Sequence, residues 1–268
     1  MSTKCIKDVI GTYCGKFVTM DNTTVFSSRG ESYDRARPGY PKALIDYLYT
    51  NQFFSDASAI ADIGSGTGKF AQQLLDRGSR VFCVEPNEEM RQIAERKLHQ
   101  YSGFISVNGT ASFTGIKEKV NAVTAAQAFH WFDRSAFREE CRRLLYPGGK
   151  VHLIWNFRLP DDEITNTCWE IFQRYCPNFP GFNTRTKEDD PRIYDFFGGY
   201  CEKTEFDNPL RYDEALFIDR YLSSSYSLKK EETGYDACLE EVRCLFRQFS
   251  RDGEVLVSNK AVCYSGYV

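Results

Sequence analysis

Hydrophobic positions follow two spacings along this chain, and the spacings alternate. Short, mainly apolar runs at 59–61, 80–85, 104–107, 120–128 and 150–156 predict buried strands. Between them lie stripes at helical spacing: Leu44, Ile45 and Leu48; Phe70, Ala71, Leu74 and Leu75; Met90, Ile93, Ala94 and Leu98; Phe137, Cys141, Leu144 and Leu145. Pro41 suits a first helical turn, and Asn87 and Asp133 suit N-caps, with Glu88 and Glu89 at the positive end of the dipole. Pro147-Gly148-Gly149 predicts the stop between the helix at 134–145 and the strand at 150–156. The order strand, helix, strand, helix implies a parallel sheet covered on both faces.

Beyond residue 158 the pattern changes. Ile164, Cys168, Ile171, Phe172 and Tyr175 form one helical stripe from about Asp161. A loop rich in Pro, Asn and Gly leads to Ile193–Phe197, and Cys201 to Phe206 alternates as an outer strand. Leu216–Leu222 and Cys238–Phe249 read as helices, and Asp252-Gly253 turns the chain into Val255-Leu256-Val257 and a last strand reaching about Tyr264. Organisation follows: 1–40, an N-terminal segment; 41–158, the alternating core; 159–250, helical cap insertions plus an outer strand; 251–268, a final strand completing the core sheet.

Composition narrows this only slightly. The 268 residues are 42% hydrophobic and 26% charged, enough for a packed core, and the net charge of −3 offers no electrostatic support for a nucleic-acid partner. No apolar run is long enough for a membrane span, and the first twenty residues carry Lys4, Lys7, Asp8 and Lys16 without a hydrophobic signal region. The ten cysteines are scattered with no C-x-x-C pair. They read as small buried hydrophobes, Cys83 in a strand and Cys141 and Cys244 on helices, in a reducing, cytoplasmic setting with no disulfide framework and no metal.

The chemistry gathers at Asp62-Ile63-Gly64-Ser65-Gly66-Thr67-Gly68, a glycine-rich turn between a strand and a helix. Glycines there let a ligand approach the backbone, and the helix that follows presents free N–H groups. A dinucleotide fingerprint needs glycine where Lys69 stands; here the third glycine comes one residue early and an acid stands two places before the first. Glu85 ends the next strand, where a carboxylate can accept both ribose hydroxyls of a nucleoside. Asp62, Glu85, Gln127 to Trp131 and Trp155 to Arg158 all fall at the carboxyl ends of predicted strands, the edge at which open parallel sheets bind ligands.

The D-x-G-x-G-x-G turn, the acid at Glu85 and the Pro-Gly-Gly stop resemble the class I S-adenosylmethionine-dependent methyltransferases. Within them the chain is similar to the type 11 methyltransferase domain of trans-aconitate and quinone-biosynthesis enzymes, firmest from Tyr33 to Asn156. The resemblance implies an α/β, Rossmann-like, doubly wound sheet of seven mainly parallel strands, with an antiparallel last strand and a helical cap. It implies S-adenosyl-L-methionine as cofactor, held by Asp62, Gly64, Ser65, Gly66, Thr67, Gly68, Glu85, Pro86, Gln127 and Ala128. Thr110 and Ala111 are the corresponding adenine contacts, although the acid common at the end of that loop is Ser112 here. Tyr33 and Arg37 are implied to meet the cofactor's carboxylate end; packing and a surface ion pair are the alternative roles.

Methyl transfer from a sulfonium needs alignment in a dry pocket more than a strong base. His130 is the candidate base and a substrate contact, against a purely structural role. Trp131 and Trp155 are candidate aromatic walls, Arg158 a partner for an acidic substrate, and Tyr226 a further substrate contact; core packing is the alternative for both tryptophans. The expected acceptor is a small molecule, with no nucleic-acid or membrane partner. An RNA or protein methyltransferase, a non-catalytic cofactor-binding protein and a nicotinamide dehydrogenase are the competing readings; the acceptor atom and the oligomeric state are not legible.

Overall fold

The computed structural model describes residues 38–182, 187–222, 224 and 226–268. Helix α1 (Lys42–Thr50) leads into β1 (Ala59–Ile63), α2 (Lys69–Leu75), β2 (Arg80–Val84), α3 (Glu88–Leu98) and β3 (Phe104–Val107). There follow β4 (Val120–Ala126), a single 3-10 turn (Phe129–Trp131), α4 (Arg134–Leu144) and β5 (Leu145–Arg158). The second half runs α5 (Glu163–Tyr175), α6 (Pro191–Phe196), β6 (Glu202–Asp207), β7 (Leu210–Tyr212), α7 (Glu214–Leu222), α8 (Tyr235–Phe249), β8 (Val255–Val257) and β9 (Asn259–Gly266).

Seven of these strands form one sheet in the order β3-β2-β1-β4-β5-β9-β6. Pairs β1–β2, β2–β3, β1–β4 and β4–β5 are parallel, and β9 runs antiparallel to both β5 and β6. Strand order reverses between β1 and β4, and at such a switch the connections leave on opposite faces and open a crevice at the strands' carboxyl ends.

Alternation along each strand sorts the core into two layers. Ile60, Val81, Cys83, Ala122, Ile154 and Cys263 pack under Leu44, Leu48, Phe70, Leu74 and Leu98 of α1, α2 and α3. Their neighbours Ala61, Ile63, Val84, Val123, Leu153 and Val262 pack under Phe137, Cys141 and Leu144 of α4 and Ile193 and Phe196 of α6. The helix starts are chemically set. Asn87 Oδ1 accepts from Met90 N at 2.9 Å, Asp133 Oδ1 from Ala136 N at 3.0 Å, and Asp162 Oδ1 from Thr165 N at 2.7 Å.

The structure corrects four local expectations. Helix α4 stops at Leu144, and Pro147-Gly148-Gly149 lies within β5. The register jumps from Val120–Leu145 to Ala122–Lys150, so residues 146–149 loop out of the ladder. Strand β4 ends at Ala126, two residues early, because Gln127 turns to φ +59. Val255–Val257 pairs with β7 in a separate two-stranded sheet, leaving β9 to enter the core sheet. Cys244 is exposed, whereas Cys83 and Cys141 are buried as their stripes require. Among the described residues no helix is long and apolar enough to cross a membrane.

Candidate cofactor and acceptor site

The turn after β1 is tied to β2 by its backbone: Gly64 N donates to Val84 O at 2.8 Å and Ser65 N to the same oxygen at 3.2 Å. Gly64 sits at φ +68, and a Cβ there would come within 2.6 Å of the Ala128 Cβ, so the end of β4 presses directly on the turn. Gly66, at φ +57, has nothing within 4 Å of an added Cβ. The first glycine thus admits a protein neighbour, while the second faces open space at the mouth of the crevice.

Two carboxyl groups flank this turn. Glu85 Oε2 accepts from Gly66 N and Oε1 from Asn87 N, each at 2.9 Å. A carboxylate offers about four acceptor positions, so two hydrogen bonds leave capacity for hydroxyl donors. Burial raises the Glu85 pKa, with the two backbone N–H groups and Arg91 pulling the other way. The Arg91 guanidinium also holds the strand end, donating to Glu85 O at 2.9 Å.

Asp62 is 1% exposed at the end of β1. Its Oδ1 accepts from Thr124 Oγ1 at 2.8 Å, and its buried Oδ2 finds no hydrogen-bond partner among the described residues. Burial pushes its pKa up to about 7, with the Thr124 hydrogen bond opposing and the Glu85 charge adding. A buried carboxyl oxygen without a donor is a debt that a ligand's N–H group can settle. These observations fit S-adenosylmethionine, which combines a ribose diol with an ammonium group.

The other expected positions divide in two. Gln127 and Ala128 are at the crevice: Gln127 N donates to Ile154 O at 2.8 Å and its Nε2 to Asn156 O at 3.2 Å. His130 and Trp131 follow in the 3-10 turn, both half-buried, with ring centroids 5.1 Å apart. Pro86 is half-buried beside Glu85, and Thr67 and Gly68 are buried at the head of α2. Thr110 is exposed and Ala111 buried in a tight turn closed by hydrogen bonds between Thr110 and Phe113. That turn continues from the end of β3.

Trp155 stands apart. It is 1% exposed, in the layer covered by α4 and α6, with its ring 6.0 Å from Phe129 and 5.9 Å from Tyr264. The structure therefore places it in the core, in the surroundings of its alternative packing role. Arg158 and Tyr226 enter the cap: the Arg158 guanidinium lies 4.2 Å from the Phe182 ring centroid, and Phe182 and Tyr226 are 6.4 Å apart. Tyr33 and Arg37 lie outside the described residues.

Sequence reasoning missed Thr124, although the parallel register that sets it opposite Asp62 follows from pairing β1 with β4. It also missed a polar clamp at the end of β5. Asn208 Nδ2 donates to Asn156 Oδ1 at 2.9 Å and to Gly39 O at 3.0 Å, fastening the chain ahead of α1. No periodicity signals that contact, because its partners are 52 and 169 residues apart.

Residues 61–153 match the methyltransferase domain family. An uncharacterized methyltransferase of Mycobacterium tuberculosis, Rv3342, is 37% identical over 139 residues, covering 52% of this chain and 54% of its own. The methyltransferase-like protein C25B8.10 of Schizosaccharomyces pombe is 30% identical over 164 residues, covering 59% of this chain and 61% of its own. The chain thus spans about half the length of the curated relatives it matches. Among solved structures, an Anaeromyxobacter dehalogenans protein assigned as a type II methyltransferase superposes with a TM-score of 0.58 at 22% identity, over 86% of this chain and 97% of that one. The YcgJ protein of Bacillus subtilis gives 0.52 at 16% identity, over 85% and 100%. Both share the fold.

Proposed function

With a methyltransferase-family domain at residues 61–153, we propose that this chain transfers a methyl group from S-adenosyl-L-methionine to a small-molecule acceptor. The observation that carries the reading is the pair of carboxyl groups at adjacent strand ends. Glu85 is braced by Gly66 N–H and Asn87 N–H with acceptor capacity to spare, and Asp62 keeps a buried oxygen undonated. Glu85 would take the ribose hydroxyls, Asp62 the ammonium end, and the open space at Gly66 the body of the cofactor.

When bound, the cofactor supplies an electrophilic methyl on a sulfonium. Held by Glu85 and Asp62, it would offer that methyl carbon to an acceptor's lone pair, with the carbon–sulfur electron pair leaving on sulfur. Alignment in a water-poor crevice contributes most of the rate in such a displacement. Gln127, Ala128 and the 3-10 turn form the wall at the end of β4, and Trp131 adds an aromatic face on which a sulfonium is favoured. His130, on that turn, would take the acceptor's proton where one must leave.

Calorimetric titration with S-adenosylhomocysteine tests the assignment. Saturable binding by wild type, weakened at least tenfold in both Asp62→Ala and Glu85→Ala, is the expected outcome. A well-folded wild type that gives no heat with S-adenosylhomocysteine would remove the enzyme reading.

A further inference from the structure

One hydroxyl lies deep in the core sheet, where a valine would fill nearly the same space. Thr124 is fully buried in β4 between Val123 and Ala125, and its Oγ1 donates to Asp62 Oδ1 at 2.8 Å. The two residues are register partners across β1 and β4, and alternation puts both on the layer of Ile60 and Ala122. A hydroxyl taken from water into such a layer costs stability unless it is hydrogen-bonded, and here its one proton is committed to the carboxyl group. The branched Cβ keeps χ1 stiff, so the direction of the donor is fixed.

Asp62 is gripped from one side. Its Oδ2 is buried and has no hydrogen-bond partner among the described residues. Cys83 of β2 is its register partner on the other flank, and burial raises that thiol well above its ordinary pKa, so it is neutral at pH 7. His152 of β5 follows Thr124 in the same row, with Nδ1 paired to Ser265 Oγ at 2.8 Å. Burial, with the charge of Lys150 adding, pulls the His152 pKa down to about 3. From α1, α2 and α3 the layer is covered by Leu44, Leu48, Phe70, Leu74 and Leu98. Beyond burial itself, the Glu85 charge opposes ionisation of Asp62 and the Thr124 hydroxyl favours it.

We propose that Thr124 is a positioning residue for the cofactor's ammonium end: its hydroxyl engages one Asp62 oxygen, steadies the carboxyl plane and leaves the second oxygen for a ligand's N–H. The inference rests on the methyltransferase reading for the identity of that ligand. At 0% exposure Thr124 offers a ligand no surface of its own, so it acts through Asp62. A hydrogen bond donated to a carboxyl group favours its ionised form. Without the hydroxyl, Asp62 would ionise only at higher pH, and a neutral acid holds an ammonium group poorly.

The test is calorimetry on the full chain from pH 6 to pH 8.5 with two probes. One is S-adenosylhomocysteine; the other is methylthioadenosine, which keeps the adenine, ribose and sulfur but lacks the amino-acid end. Thr124→Val should weaken S-adenosylhomocysteine about tenfold at pH 7 and move the rise of its affinity about one pH unit higher. Methylthioadenosine should bind the variant within twofold of wild type, and Thr124→Ser should restore most of the lost S-adenosylhomocysteine affinity. Carboxyl-carbon NMR of Asp62 without ligand should show the same upward shift in Thr124→Val. An unchanged pH profile, equal loss for both probes, or no rescue by serine would each overturn the proposal. A wild type that binds neither probe would instead strike the methyltransferase reading. The NMR titration would still decide the role of Thr124, because an Asp62 signal that titrates alike in wild type and Thr124→Val would overturn it.

Discussion

A carboxyl group sealed from water ionises only against the loss of its hydration, and at Asp62 this moves the pKa from the ordinary value near 4 up to about 7. Between those two values the folded chain holds a proton that the unfolded chain has released. Stability from this group is therefore present at low pH, falls as pH rises through that window, and levels off above it. Ligand binding runs the other way, because an ammonium group prefers the ionised carboxylate. Asp62→Asn should separate the two effects. Relative to wild type, the variant gains about 4 kcal/mol of stability between pH 4 and pH 8, read by denaturant melts at each pH. The affinity of wild type for S-adenosylhomocysteine rises between pH 6 and pH 8, and that of the variant stays flat. A variant that tracks wild type in both measurements would mean that Asp62 is ionised throughout. Neighbouring residues divide the labour: Gly64 gives room to Ala128, Gly66 leaves open space, and Thr124 holds one Asp62 oxygen.

At the scale of elements, the β/α core was legible because its strands are buried on both faces and its helices carry single apolar stripes, so period alone separates them. What escaped was set by tertiary contact. Gln127 ends β4 early through a left-handed turn, residues 146–149 leave the ladder although the strand continues, and β8 pairs with β7 where its short apolar run looked like part of the last strand. The loop expected at the adenine ring is another such case, since a helix holds it. Glu140 of α4, 6% exposed, accepts from Thr114 N at 2.8 Å and Thr114 Oγ1 at 2.6 Å, and pairs with Arg143 at 2.7 Å. Burial pushes its pKa up, but Arg143 and Thr114 prevail and hold it at about 2. Stability from this latch is present above the ordinary glutamate value and is lost as pH falls toward 2. Glu140→Gln should cost about 1–3 kcal/mol near neutral pH and almost nothing near pH 2, measured by urea melts. It should also speed amide exchange across 109–116 and weaken S-adenosylhomocysteine severalfold. Unchanged exchange in that segment would show that α4 does not hold the loop.

At the scale of the molecule, the sheet and the segments that follow β5 build separate apolar cores. The sheet and its helices account for two apolar clusters, while Ile164, Cys168, Phe172, Phe217, Tyr221, Val242, Leu245, Val255 and Val257 form a third with its own helices and its own two-stranded sheet. Asp62, the glycine turn and Glu85 were legible because each sits at a strand end next to a local motif, whereas Thr124 was not. The surroundings of Arg158 were not either, because Phe182 and Tyr221 come from separate segments with no common spacing and meet its guanidinium only through folding. A cap with its own core should be able to loosen alone. Phe217 is fully buried in that cluster, with its ring 4.9 Å from Tyr221 and 5.7 Å from Phe246. Phe217→Ala removes about 3–5 kcal/mol of packing, a large part of what a unit of this size holds. Hydrogen exchange should then rise across α5, α7 and α8 and stay slow in β1, β4 and β5. S-adenosylhomocysteine should bind within about twofold of wild type, since Asp62 and Glu85 lie at the ends of β1 and β2. Equal loss of protection in β1 and β4 would show that cap and sheet fold as one cooperative unit, and that the third cluster has no stability of its own.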